Sequence, residues 1–345
     1  MKPRGDTCNQ KGIALLLVLW VLAFLSVIAA EFSRSMRTEL MIARNFKETS
    51  QGYYAALGGI HLTVYQMLRT MFNPRPASEV AKEEGADIDW RVNTEIPAIP
   101  FGEGQIMVRI DNEGGKVNIN LADQALILLL LKGLPISEDE KSAIVDSIMD
   151  WRDSDDLHRM HGAEEDYYQS LPNPYHCKNG DFDSVEELLL VKGITPGIFH
   201  ECFRQTVTVY PSRKAVETKT GAAPGAAVAK TGFNYNKFNI NAAPPALLLL
   251  LPGFTPEIVA AVHTYRREKD IASNGDYLTL VGAEAYAATQ NYITFSLSPY
   301  FRVTSRGLFA EGKVRQEISA MIYLDLKSKE KYRIVQWFDH MPVAR

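Results

Sequence analysis

Residues Ile13 to Ala30, IALLLVLWVLAFLSVIAA, decide how the rest of this chain is read. The run carries no charge. Lys2, Arg4 and Lys11 precede it, and Glu31, Arg34 and Arg37 follow it. As a helix it spans about 27 Å, close to the hydrocarbon thickness of a bilayer. The apolar pattern does not stop at Ala30. Phe32, Met36, Leu40 and Ala43 recur at three- and four-residue spacing, with Arg34, Arg37, Glu39 and Arg44 between them. Tyr53, Leu57, Ile60, Val64 and Leu68 extend the stripe, and no proline occurs from Ile13 to Phe72, before Asn73-Pro74. The spacing predicts one helix over residues 13–72, apolar all round at first and amphipathic afterwards.

The run alone is open to three readings. It fits a cleaved secretory signal, with Val27-Ile28-Ala29 at the cut. It fits a single membrane anchor with its basic end in the cytoplasm. It also fits a prepilin-like leader, Met1 to Gly12, cut after Gly12 to start the mature chain at Ile13. A cleaved signal has no need to continue in phase into the mature helix, whereas a pilin does, so the extension to Phe72 favours the third reading.

The 345 residues, 46% hydrophobic, suffice for one or two cores. The net charge is −4, and removing a leader of net +2 leaves −6. An acidic exported head argues against bulk nucleic-acid binding, so no nucleic acid is expected. Of the three cysteines, Cys8 lies in the leader. Cys177 and Cys202 are expected to form a disulfide if the head is exported; two buried thiols are the plainer alternative.

Gln105–Asp111 (QIMVRID) alternates as a strand, and Asp111-Asn112-Glu113-Gly114-Gly115 reads as a turn. Tyr300–Ser305, Leu308–Ala310 and Val314–Leu324 form a second strand group, punctuated by Arg306-Gly307 and Glu311-Gly312. These distant segments are expected to share one antiparallel sheet. The class is α+β: a small sheet domain from residues 73–116 and 294–345, packed on the long helix, with a helical insertion over 117–293.

The insertion repeats itself. Lys116-Val117-Asn118-Ile119-Asn120 matches Lys237-Phe238-Asn239-Ile240-Asn241, and each precedes a Leu-rich helix and a glycine, Gly133 or Gly253. Related turns stand at Gly193 and Gly282. We read two repeats, 117–210 and 233–293, joined by an Ala/Gly/Lys/Thr-rich linker at 211–232. The asparagines are expected to cap the following helices and the glycines to end them. Such units are like the SAM and helix-hairpin-helix folds. The second glycine by which a DNA-binding hairpin approaches phosphate is missing, since Phe254-Thr255-Pro256 follows Gly253.

Between Asp146 and Glu187 carboxylates crowd an irregular stretch: Asp150-Trp151-Arg152-Asp153-Ser154-Asp155-Asp156, then Gly162-Ala163-Glu164-Glu165-Asp166. They repel one another unless a cation sits among them. Asp153 and Asp155 are spaced as in calcium loops, though the full EF-hand pattern is absent. No P-loop, GxSxG, GxGxxG or HExxH stands in the sequence, and no enzyme is expected.

Together these residues resemble the minor pseudopilin K family of type II secretion. The resemblance rests on Lys11-Gly12 before IALLLVLW, on Asn118–Ala122 and Asn239–Ala243, on Asp150-Trp151 with Asp153 and Asp155, on Gly162-Ala163-Glu164, and on Glu187–Gly193. It implies that a prepilin peptidase cuts after Gly12 and that Ile13 is methylated. It implies residence in the bacterial inner membrane with the head in the periplasm, then entry into a pseudopilus tip beside minor pseudopilins I and J. The other pseudopilins and the inner-membrane assembly components are further implied partners. It also implies calcium in the helical domain, with Asp150, Asp153, Asp155, Glu164 and Asp166 as candidate ligands. Most pilins carry Glu at the fifth mature residue, which here is Leu17. A charge in the membrane needs a partner, so its absence implies that no subunit stacks above. The competing reading is a membrane-anchored DNA-binding or competence-type protein. A tethered metal-dependent hydrolase is a third.

Overall fold

Helix α1 runs unbroken from Lys11 to Phe72. At about 1.5 Å per residue its 62 residues extend roughly 93 Å. The computed structural model describes residues 11–72, 88–213, 233–309 and 314–339. The leader through residue 10 with Cys8, the stretch 73–87, linker residues 214–232, the Glu311-Gly312 turn and residues 340–345 lie outside the described residues.

The two halves of α1 have different surroundings. From Ile13 to Phe46 every side chain is exposed, which leaves this half without protein neighbours. Ile13–Met71 qualifies by length and composition as a candidate membrane span. Beyond it, Ala55, Ala56, Ile60, Val64 and Met67 are buried against a five-stranded antiparallel sheet. The sheet is ordered β1 (Ile99–Phe101), β2 (Gly104–Asn112), β7 (Tyr300–Phe309), β8 (Val314–Leu324), β9 (Tyr332–Asp339). The small residues let the helix lie close. A side chain at Gly59 would overlap Ser305 and Ile106, and one at Gly307 would overlap the backbone of Gly52.

Gly307 corrects one expectation. Arg306-Gly307 does not break the strand, because β7 runs straight through it. The glycine is required by the crossing helix rather than by a turn. The expected Asp111–Gly115 turn also shifts: β2 continues to Asn112, and Glu113–Gly115 forms one 3₁₀ turn.

The insertion leaves the sheet after β2 and returns at β7. Gly52 faces Gly307 and Gly59 faces Ser305, so β7 runs antiparallel to α1. Its Tyr300 end, where the insertion attaches, therefore points toward the C-terminal end of α1, away from the apolar run. Asn112 closes the neck: its Nδ2 donates to Ser298 O at 2.7 Å, and its Oδ1 accepts from Ser298 N at 3.0 Å. Beside it Glu113 is buried, paired with Lys116 at 3.1 Å and Arg302 at 3.2 Å. Burial alone would raise its pKa, but the two cations hold it below the ordinary carboxylate value.

The insertion contains α2 (Gln124–Leu130), α3 (Glu138–Arg152), α4 (Glu165–Gln169), α5 (Pro196–Ile198), α6 (Pro245–Leu248), α7 (Pro256–Glu268), α8 (Asn274–Val281) and α9 (Ala283–Thr289). Its two halves share one apolar core, separate from that under α1. Each half is closed by a short parallel strand pair: β3 (Val117–Asn118) with β4 (Val207–Thr208), and β5 (Phe238–Asn239) with β6 (Ile293–Thr294).

The repeated asparagines do not cap helices. Asp123 caps α2, and α6 follows Pro244 with no side-chain cap. The asparagines instead tie distant backbone together. Asn118 Oδ1 accepts from Asn120 N at 2.9 Å, as Asn239 Oδ1 does from Asn241 N at 2.7 Å. Asn120 exchanges two bonds with the backbone of Phe182, and Asn241 does the same with Ile271. Buried amides need such partners, and a strand-like start aims these side chains inward rather than along the helix.

Candidate metal centre

The acidic stretch begins at the C-terminal end of α3. A capping box of Ser137 and Glu140 starts that helix. Ile144, Val145, Ile148 and Trp151 bury its apolar face. Trp151 packs edge-on to Tyr168 with centroids 5.0 Å apart, which holds α4 against α3. This packing brings Glu164, the residue before α4, beside Asp153, the residue after α3.

Asp153, Asp155 and Glu164 each place one carboxylate oxygen within 4.8 Å of the others. Oxygens bound to one calcium ion lie about 2.3–2.6 Å from it and so up to about 5 Å apart. The spacing fits. Glu164 makes the stronger argument, being 1% exposed with no N–H, hydroxyl or cation on either carboxylate oxygen and only the weak Cys177 thiol beside it. It does not cap α4. Burial first, then the neighbouring Asp150 and Asp153, raises its pKa to about 7. One oxygen of Asp153 is likewise buried without a partner. An ionised carboxylate so placed lacks a cation.

The other two candidates stand elsewhere. Asp150 is fully buried, but its oxygens accept from the guanidinium and the backbone N–H of Arg159. It is a partner of Arg159 rather than a member of the cluster. Gly162 lies against it so closely that any Cβ would overlap the carboxylate. Asp166 is exposed and pairs with His158 at 2.9 Å. It is the second residue of α4 and lies outside the three-carboxylate cluster. Sequence spacing offered no way to separate these five carboxylates. Lys192 joins the site unannounced: its Nζ donates to Gly162 O at 2.9 Å and lies over the Tyr167 ring.

Cys177 and Cys202 are both free thiols, contrary to the expected bridge. Each is held by its own surroundings. The Cys177 backbone donates to Glu165 at 2.7 Å beneath the acidic loop, while Cys202 lies in the π-turn Phe199–Phe203. Burial pushes the thiols up to about 12 and about 11 respectively, which keeps both protonated.

A long N-terminal helix on an antiparallel sheet, carrying a large helical insertion with a carboxylate cluster, defines an α+β fold. Residues 109–212 match the family model described as Type II secretion system (T2SS), protein K. The resemblance drawn from the motifs is thus matched by a family model over this stretch, where the chain is similar to protein K of type II secretion. Type II secretion system protein K of Pectobacterium carotovorum is 28% identical over 202 residues, covering 55% of this chain and 60% of the relative. That of Aeromonas hydrophila is 26% identical over 210 residues, covering 55% and 61%. The matched region thus spans about three-fifths of these relatives' length. In fold the chain is similar to one from the crystal structure of the GspK-GspI-GspJ complex of enterotoxigenic Escherichia coli. The TM-score is 0.51 at 15% identity, over 88% of this chain and 99% of that one.

Proposed function

We propose that this chain is the minor pseudopilin K of a type II secretion system, a structural subunit without catalytic activity. In this reading a prepilin peptidase removes Met1–Gly12, and Ile13 becomes the methylated amino terminus. The apolar half of α1 holds the protein in the inner membrane, with the sheet and insertion in the periplasm. The chain then caps the pseudopilus beside minor pseudopilins I and J and helps start its assembly for export across the outer membrane. The observation that carries the cap assignment is the place of the insertion. It attaches at the Tyr300 end of β7, the end of the head remote from the apolar run. A body of that size above the sheet obstructs a further subunit, and Leu17 leaves no carboxylate to meet one. The solved relative with GspI and GspJ supports the choice of partners.

The cluster of Asp153, Asp155 and Glu164 is read as a calcium site that fastens the loop between α3 and α4. Carbonyls and water complete the six to eight oxygens the ion takes. The buried Glu164 without a cation is what supports it.

The repeats are read as SAM- or helix-hairpin-helix-like packing units. DNA binding is disfavoured by their glycines. Gly193 is backed by Ile144 and Gly253 by Ala285, so these turns face protein rather than phosphate. Mass spectrometry of protein made with a prepilin peptidase tests the central reading. A mature start at methylated Ile13 is expected, and a start at Ala30 or an uncut Met1 overturns it.

A further inference from the structure

Arg159 is the one cation bonded to both the buried layer and the rim of the cluster among the described residues. Its Nη1 donates to Asp150 and, at 2.6 Å, to Asp153 Oδ2. The other Asp153 oxygen has no partner, and Glu164 has no cation, only the Cys177 thiol. Asp153 is thus divided: one oxygen is held by the guanidinium, and the other is left for the cluster.

We propose that Arg159 is a built-in counter-cation that competes with the bound metal ion and sets its affinity. The inference rests on reading the cluster as a calcium site. Asp150 is fully buried, and a buried carboxylate without an opposite charge is strongly destabilising. Arg159 supplies that charge when no ion is present. A divalent ion among Asp153, Asp155 and Glu164 lies across one carboxylate from the guanidinium. Two cations sharing Asp153 repel at short range in a half-buried site, where solvent screens poorly. The ion gains from Asp153 what the guanidinium gives up.

The Arg159 side chain, rather than its backbone, is what can move. Its side chain is 36% exposed, so a path to water is open. The side chains of Leu157 and Met160 are 76% and 90% exposed, while the backbone stays tied, Leu157 N donating to Asp155 and His161 N to Asp146. The Asp150 carboxylate keeps the Arg159 backbone N–H as a donor, and the missing side chain of Gly162 leaves it room. The guanidinium can retract while the acid it leaves stays fixed.

The test uses the full chain in detergent micelles, with calorimetric calcium titration and thermal unfolding in chelator and in calcium. Wild type is expected to gain Tm with calcium. Arg159→Gln is expected to bind calcium about tenfold tighter or more. It should also melt lower in chelator, so that its calcium-induced rise in Tm exceeds that of wild type. The double variant Asp150→Asn with Arg159→Gln removes both charges of the pair and should recover the chelator Tm. Recovery of Arg159→Gln only in calcium supports the proposal. An affinity within about twofold of wild type overturns it. So does a double variant as unstable as Arg159→Gln alone. A wild type that ignores calcium overturns the site reading as well, and is thereby told apart from failure of the Arg159 role.

Discussion

Arg152 and Arg266 make the same contacts in the two halves of the inserted domain. Arg152 donates to the carbonyls of Ile119 and Ala122, and Arg266 donates to those of Ile240 and Ala243. Each arginine stands in the last turn of its helix and reaches the Asn-Ile-Asn segment that starts its own repeat. The chain then takes different lengths to the same place. Phe182 bonds Asn120 as Ile271 bonds Asn241. Residues 153–181 therefore stand where the second repeat has only 267–270. All three clustered carboxylates lie in that longer connection. The candidate metal centre is an elaboration of one repeat, and the other repeat shows the scaffold without it.

Arg266→Ala should destabilise the protein by about 3 kcal/mol, because two buried carbonyls lose a charged donor. Arg266→Lys should recover little of this, since one ammonium on a flexible stem does not reproduce the planar fork. Chemical denaturation followed by far-UV circular dichroism measures both.

Glu164→Gln should have opposite effects in the two metal conditions. In chelator it removes a buried unpaired carboxylate and should raise Tm by a few degrees. In calcium it removes a ligand, and the calcium-induced rise in Tm should vanish. Scanning calorimetry with and without calcium reads both effects. A variant that is destabilised in chelator as well would show that Glu164 has a structural bond of its own.

Gly162→Ala should be among the most damaging single-methyl changes in the chain. The added Cβ overlaps the Asp150 carboxylate, and the loop must shift at a cost of about 2–3 kcal/mol. The shift moves Arg159 and Glu164 with it, so calcium binding should weaken too. Titration calorimetry and thermal unfolding of the variant test the two expectations together.

Glu113 predicts acid sensitivity at the neck between sheet and insertion. Its folded pKa lies below its unfolded value, held there by Lys116 and Arg302 against the effect of burial. The stabilisation is thus fully present above the unfolded pKa and lost as pH falls through the folded one. Glu113→Gln should be less stable than wild type by about 3 kcal/mol near neutrality. The gap between the two should close as pH is lowered below about 4. Parallel urea denaturation of both proteins across pH 3–7 measures that gap.

Much of this fold is local enough to be read along the chain. The helix from Ile13 to Phe72 declares itself through periodicity, charge placement and the Asn73-Pro74 stop, and the structure begins it only two residues earlier. The Gln105–Asp111 and Val314–Leu324 strands follow from alternation and turn residues. The short β1 and the last strand, Tyr332–Asp339, were not singled out. In β9 no alternation of burial marks an inner face, because the strand lies at the sheet edge.

By itself the sequence determined the membrane-length helix, the two Asn-Ile-Asn repeats and the concentration of carboxylates after Trp151. Those are properties of residue type and near spacing. Only the tertiary structure decided that Asn118 and Asn120 cross-link rather than cap, and that Gly307 admits a helix rather than a turn. It alone separated Asp153, Asp155 and Glu164 from Asp150 and Asp166. A carboxylate becomes a ligand or a salt-bridge partner according to what lies within a few ångströms of it. Here that is set by the packing of Trp151 on Tyr168 and by the place of Arg159, neither of which is encoded in the spacing of the acids.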